Sequence, residues 1–376
     1  MSLEFSNSVC PLLVMRKKNN LHIFISIIIF LIGVELTLRI LSIHSFRGSL
    51  FSARNIIELT VKDKRLGLRP NPKFPGHDQK GFRNKFVPEQ ASIVAMGDSQ
   101  TYGATVEINE AWPQQLEYLS KIKTYNMAFG GYGPTHSLIL LPEAINLKPK
   151  LIIEAFYAGN DLYDSYSHIY DMKQLPELKC KNKVVIKNII ALEKKEPLLR
   201  EIQRLFRMER KAGKDEQLYE VLDRGGFKTV FTPAYRLCAL NLRDIRIREG
   251  LRISLEAIKL IQEKAKTLNI EFIVLLIPTK ELVFKDIVYN NSDNTSLAYK
   301  TLIENEEIFW RQARDFLKKE GIYFIDALFA LRECLSNNLQ PYPASLNGHP
   351  SAIGHRAIAK AVLSELEKFG LLDKIW

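Results

Sequence analysis

Along the chain, short apolar runs alternate with stretches whose apolar residues recur every three or four positions. The runs 92–98 (SIVAMGD), 124–129 (TYNMAF), 151–159 (LIIEAFYAG), 271–278 (EFIVLLIP) and 323–327 (YFIDA) are largely apolar on both faces, the pattern of strands buried inside a parallel sheet. Segments 111–120, 135–146, 249–268, 298–319 and 351–369 carry helical spacing and helix-favouring residues. This alternation predicts an α/β fold, a parallel sheet with helices on both faces. Two regions break the rhythm. Residues 44–90 hold scattered turn formers, among them Gly67, Pro70, Pro72, Pro75, Gly76 and Gly81, and read as a linker or extension folding onto the domain. Residues 162–248, rich in Lys, Arg and Glu, read as a helical insertion between the third and fourth strands, its charge either a solvated face or a lid over substrate.

One further run, 21–43, is apolar except for Glu35 and Arg39, which are spaced to pair on one helix face. As a helix it would extend about 34 Å, enough to cross a bilayer. Arg16, Lys17 and Lys18 precede it, so the positive-inside bias puts residues 1–20 in the cytoplasm and the bulk of the chain outside. A cleaved signal peptide is the competing reading, but the run is too long and no small-x-small site follows it. Met15 opens a segment that is a complete n-region by itself, so translation starts at Met1 or at Met15.

With 376 residues, 46% hydrophobic and 25% charged, the composition is that of a globular protein. The formal net charge of +11 suits an acidic partner or an anionic membrane surface. Nucleic acid is not expected, because the basic residues are scattered among acidic ones and no nucleic-acid-binding motif is present. The four cysteines, Cys10, Cys180, Cys238 and Cys334, are far apart and form no CxxC pair. His349 and His355 are spaced i,i+6, off a common helix face and without Cys or Glu at ligand spacing, so no metal is expected; no cofactor is expected either.

Open parallel sheets bind ligands at the carboxyl ends of their strands. The first strand runs into GDSQTYG (97–103), which sets Ser99 in a turn before a helix. The second is followed by FGGYG (129–133), where absent Cβ atoms open the backbone N–H groups to a ligand. The third ends in AGND (158–161), offering the amide of Asn160. NGHPSAIGH (347–355) places His349 on a loop before the last helix. Each fragment alone also reads as a turn or a cap. In this order they supply a nucleophile, a base and donors for a developing oxyanion, the requirements of acyl transfer. The GxSxG elbow of α/β-hydrolases is absent.

The four blocks resemble those of the SGNH (GDSL-like) hydrolase superfamily over residues 91–370. The resemblance implies a three-layer, flavodoxin-like sandwich with Ser99 as nucleophile and His349 as base. It further implies an oxyanion hole formed by the N–H groups of Ser99 and Gly131 and the side chain of Asn160. Gly131 is chosen over Gly130 because Asn126 and the following Tyr132-Gly133 fit the second block best. The N-terminal apolar run, GFR (81–83) and IPTKE (277–281) resemble bacterial envelope members related to polysaccharide O-acetyltransferases. This implies a single-pass inner-membrane esterase or acyltransferase acting on ester groups, O-acetyl foremost, of envelope glycans or related substrates. One position departs from the pattern. The family's last block carries an aspartate two or three residues before the histidine, and here Leu346 and Asn347 stand there. An amide fixes a tautomer but cannot neutralise imidazolium. Asp98 and Asp161, the nearest carboxylates in the motifs, read as turn-holding groups. Two readings stay open: an enzyme with Asn347 in the acid's place, or a glycan-binding or assembly protein that has lost catalysis.

Overall fold

The computed structural model describes residues 58–211, 219–290 and 295–375. The expected cytoplasmic tail, the span 21–43 and the first part of the extension lie outside them. Among the described residues no helix is long and apolar enough to cross a membrane.

The first strands among the described residues form an antiparallel hairpin, β1 (Thr60–Asp63) and β2 (Gly67–Pro70). There follow β3 (Ile93–Met96), the short α1 (Ser99–Tyr102), α2 (Trp112–Ser120), β4 (Thr124–Asn126), α3 (Pro134–Ile145), β5 (Leu151–Tyr157) and α4 (Asp161–Tyr170). The inserted region adds α5 (Lys183–Lys195), α6 (Leu198–Lys211), a second hairpin of β6 (Glu220–Arg224) and β7 (Phe227–Phe231), and α7 (Pro233–Leu240). The chain then returns through α8 (Ile245–Thr267), β8 (Glu271–Ile277), α9 (Leu297–Lys319), β9 (Tyr323–Asp326), α10 (Ala327–Ser336) and α11 (Ala352–Lys368).

Five strands pair in the order β4-β3-β5-β8-β9, every pair parallel. This is the flavodoxin-like order, in which the chain crosses back over its first strand between the second and the third. Right-handed crossovers then put α3, α8 and α9 on one face and α2 and α11 on the other. The helix contacts agree, since α8 packs on α3 and α4 while α11 packs on α2 and α10. Strands β3 and β5 are buried throughout, as strands covered on both faces must be.

Two expectations are corrected here. Residues 58–90 are more than a linker: they form a hairpin, and the GFR stretch is inserted into the domain. A Cβ on Gly81 would lie 2.1 Å from the Pro70 carbonyl oxygen, Phe82 is fully buried, and Arg83 donates to the carbonyls of Tyr102, Gly103 and Val106. Region 162–248 is only partly a helical insertion. It contains the β6–β7 hairpin, and its first helix, α4, belongs to the core layer because α8 packs along it. Short strands among charged residues give little periodicity, which is why the hairpin was not visible.

The α4–α8 contact is close because Gly250 has no side chain; a Cβ there would sit 2.0 Å from the Leu162 carbonyl oxygen. Gly250→Ala should therefore lower unfolding stability by about 1–3 kcal/mol through overpacking. A urea midpoint that falls at unchanged m would establish it, and an unmoved midpoint would refute so close a contact.

Candidate active site

The turn that carries Ser99 is shaped by backbone restrictions. Gly97 has φ +144°, and a Cβ there would press on Thr101 and on β5 at Ala155. Asp98 caps α1, its carboxyl accepting from Gln100 N–H at 2.9 Å. Ser99 is thus the first helical residue, and its N–H has no partner among the described residues. Asn126 holds the turn from below, Nδ2 donating to the Thr101 carbonyl at 2.9 Å, while Asn84 from the extension holds Asn126.

The histidine loop meets this turn from the other end of the chain. His349 Nε2 lies 2.8 Å from Ser99 Oγ, and Nδ1 lies 2.6 Å from Asn347 Oδ1. The backbone N–H of His349 also donates to Asn347 Oδ1, at 3.0 Å. That donor is obligatory, so the oxygen of the amide must face the ring. Nδ1 therefore carries the proton, and Nε2 is left to accept the serine hydroxyl. The loop is pinned by the fully buried Lys280, whose Nζ donates to the carbonyls of Val230, Ser345 and Asn347. Thr105 adds a bond to the Pro350 carbonyl. His355, the other histidine of the motif, accepts from the Trp112 N–H through Nδ1 and joins α11 to α2. Among the described residues no group of three or more His, Cys, Asp or Glu is placed to hold a metal.

The second block lies beside the nucleophile turn, Phe129 N–H donating to the Gly97 carbonyl. Gly131 has φ +78°, open space where a Cβ would be, and an N–H without a partner among the described residues. Asn160 is brought to the same edge, but its side chain is not a free donor. Nδ2 bonds Asp164 Oδ2 at 2.5 Å, and the Asp98 carboxyl takes a further bond from this amide. Ser99 and Gly131 thus present the open N–H donors, whereas the Asn160 amide is engaged by Asp164 and Asp98. Asp161, whose Oδ2 accepts from the Tyr157 N–H at 2.8 Å, closes the turn that carries Asn160.

Charge is arranged unusually. Beneath Ser99, burial raises the carboxyls of Asp98 and Asp161, and it pushes Glu154 and Asp164 up to about 8. Above, the histidine faces cations. Arg236, from the inserted α7, lies against Gly348, where a Cβ would fall 2.5 Å from its guanidinium, and its charge also reaches Tyr157 and Asp98. Burial first, then the charges of Arg236, His355 and Lys280, lower His349 to about 3. Sequence reasoning did not find Arg236, since nothing in the linear pattern separates it from the other 52 Lys and Arg residues. Lys280 was visible only as part of the IPTKE resemblance, without a role.

No protein-family model and no curated protein matches this chain. Solved structures do. An acetylxylan esterase from Geobacillus stearothermophilus is 14% identical, over 74% of this chain and 96% of that one, at a TM-score of 0.38. A GDSL-like lipase from Bacteroides thetaiotaomicron is 12% identical over 75% and 93%, at 0.37. An α/β hydrolase enzyme from the metagenome of Lake Arreo is 12% identical over 75% and 97%, at 0.39.

A general base must be neutral to act, so a lowered pKa keeps it competent as pH falls. The histidine-dependent acid limb of kcat/KM on an activated ester should therefore lie well below the ordinary histidine value of 6.5. In Asn347→Asp the added carboxylate favours imidazolium, and the limb should move up. A wild-type limb near 6.5, or no shift in the variant, would contradict this electrostatic picture.

Proposed function

We propose that this chain is a serine esterase or acyltransferase of the SGNH type, working through an acyl-Ser99 intermediate. The observation that carries the reading is the hydrogen-bonded series Ser99 Oγ, His349 Nε2, His349 Nδ1 and Asn347 Oδ1, with links of 2.8 and 2.6 Å. Nε2 takes the hydroxyl proton as Oγ attacks the ester carbonyl. The tetrahedral oxyanion is met by the N–H groups of Ser99 and Gly131, with the Asn160 amide as a third donor once released from Asp164. Collapse expels the alcohol, which receives the proton from Nε2. Water or a sugar hydroxyl then takes the acyl group, and the two outcomes use the same residues.

The substrate we propose is an O-acyl, foremost O-acetyl, group of an envelope glycan. Residues 21–43 would anchor the protein in a bacterial inner membrane, with the catalytic domain outside the cytoplasm. The basic residues before that run and its length support the placement. A second reading, a glycan-binding or assembly protein on the same fold, is favoured by one observation. The base has cations around it and an amide where a carboxylate would stabilise its charged form.

A fluorophosphonate probe separates the two. With full-length protein, intact mass should show one adduct on the wild type and none on Ser99→Ala or His349→Ala. If folded wild type and folded Asn347→Asp both take no adduct, the assignment moves to the binding role.

A further inference from the structure

The residue in the acid's place is followed by glycine, and the surroundings of that pair suit a particular reaction. We propose that Asn347-Gly348 is a self-modification site, at which deamidation converts Asn347 to aspartate and completes the catalytic triad. The inference rests on the esterase reading above.

The reaction is an intramolecular substitution. The Gly348 backbone nitrogen attacks Asn347 Cγ, the new C–N bond closes a five-membered succinimide, and Nδ2 leaves as ammonia carrying the proton lost by Gly348. Water then opens the ring. Opening at the side-chain carbonyl gives aspartate on an unchanged main chain, whereas opening at the other carbonyl gives isoaspartate, which adds a methylene to the main chain. No oxidant or outside enzyme is needed.

Four features of the site favour it. Gly348 presents no Cβ to hinder its own nitrogen, and Arg236 fills the place where one would be. The Gly348 N–H has no hydrogen-bond partner among the described residues, so attack breaks no internal bond. Asn347 Oδ1 already accepts two N–H groups, His349 N at 3.0 Å and Nδ1 at 2.6 Å. Negative charge develops on that oxygen as Cγ becomes tetrahedral, so the pair acts on the amide as an oxyanion hole acts on an ester. Asn347 is half-buried and its Nδ2 makes no hydrogen bond among the described residues, which leaves ammonia a way out and water a way in.

The consequence follows from the same contacts. Aspartate formed without lengthening the main chain would keep an oxygen where Oδ1 now meets Nδ1, and would add the charge that imidazolium lacks. Isoaspartate would shift the histidine and leave the site idle. Lys280 holds the carbonyls of Ser345 and Asn347, which opposes the lengthened chain.

The test follows full-length protein through ageing at mildly alkaline pH in 18O-labelled water. Peptide mapping would read the fraction of aspartate, isoaspartate and asparagine at position 347. Turnover of an activated ester and fluorophosphonate labelling would be measured at the same times, beside Asn347→Asp and Asn347→Gln, whose longer side chain disfavours the ring closure. We expect label to enter at position 347 and turnover to rise in step with the aspartate fraction towards that of Asn347→Asp. The latter should exceed Asn347→Gln by about ten-thousand-fold, the effect of exchanging acid and amide in a serine protease triad. The inference is overturned if position 347 stays asparagine throughout, or if it converts while turnover stays flat and Asn347→Asp is active. If folded Asn347→Asp itself neither labels nor turns over, the esterase reading fails and the inference falls with it.

Discussion

The hydrogen bond between Ser99 Oγ and His349 Nε2 joins residues 250 positions apart, and most of the architecture can be read as what holds those two atoms at 2.8 Å. Neither residue lies on a strand. Ser99 opens the short α1, held by its neighbour Asp98 and by Asn126 and Arg83 from elsewhere, and His349 sits on a loop held by Lys280 and Thr105. The parallel sheet makes this feasible because every strand delivers its carboxyl end to one edge. The reversal of strand order between β3 and β5 opens the crevice there, next to Ser99 and Asn160.

Electrostatics divides the site into two halves. Four buried carboxyls, Asp98, Glu154, Asp161 and Asp164, lie near the Ser99 turn, each raised foremost by loss of solvent. Above it, Arg236 and Lys280 face the histidine with no carboxylate in contact with Nδ1. This suits a neutral imidazole and penalises the protonated one. An acid triad puts its carboxylate there; this chain puts an amide whose oxygen takes the same hydrogen bond without the charge.

The parts outside the sheet are therefore not passive. The extension reaches the loop after α1 through Arg83 and block two through Asn84, so its removal would disturb the nucleophile turn as well as stability. The inserted region places α4 in the core layer and the buried Arg236 beside Gly348, where its charge lowers His349. A side chain at 348 would have to displace that guanidinium.

The sequence by itself determined the five strands, of which the edge strand β9 is partly exposed, the main helices and the order of the blocks. Parallel strands covered on both faces must be apolar throughout, and helices must repeat every three to four residues, and both constraints are written locally. It also presented Ser99, Gly131, Asn160, Asn347 and His349 as candidates, because a nucleophile, a base and donors are recognisable by type and by position after a strand. Only the tertiary structure decided which of them meet. It paired Ser99 with His349, turned the Asn347 oxygen to the ring and tied Asn160 to Asp164. It also made Lys280 a clamp and brought Arg236 to the site. The contacts of Ser99, Lys280 and Arg236 join residues distant in the chain, where one lysine or arginine among many has no local mark; the orientations of the Asn347 and Asn160 amides are set between near neighbours but are side-chain geometry that residue type alone does not encode.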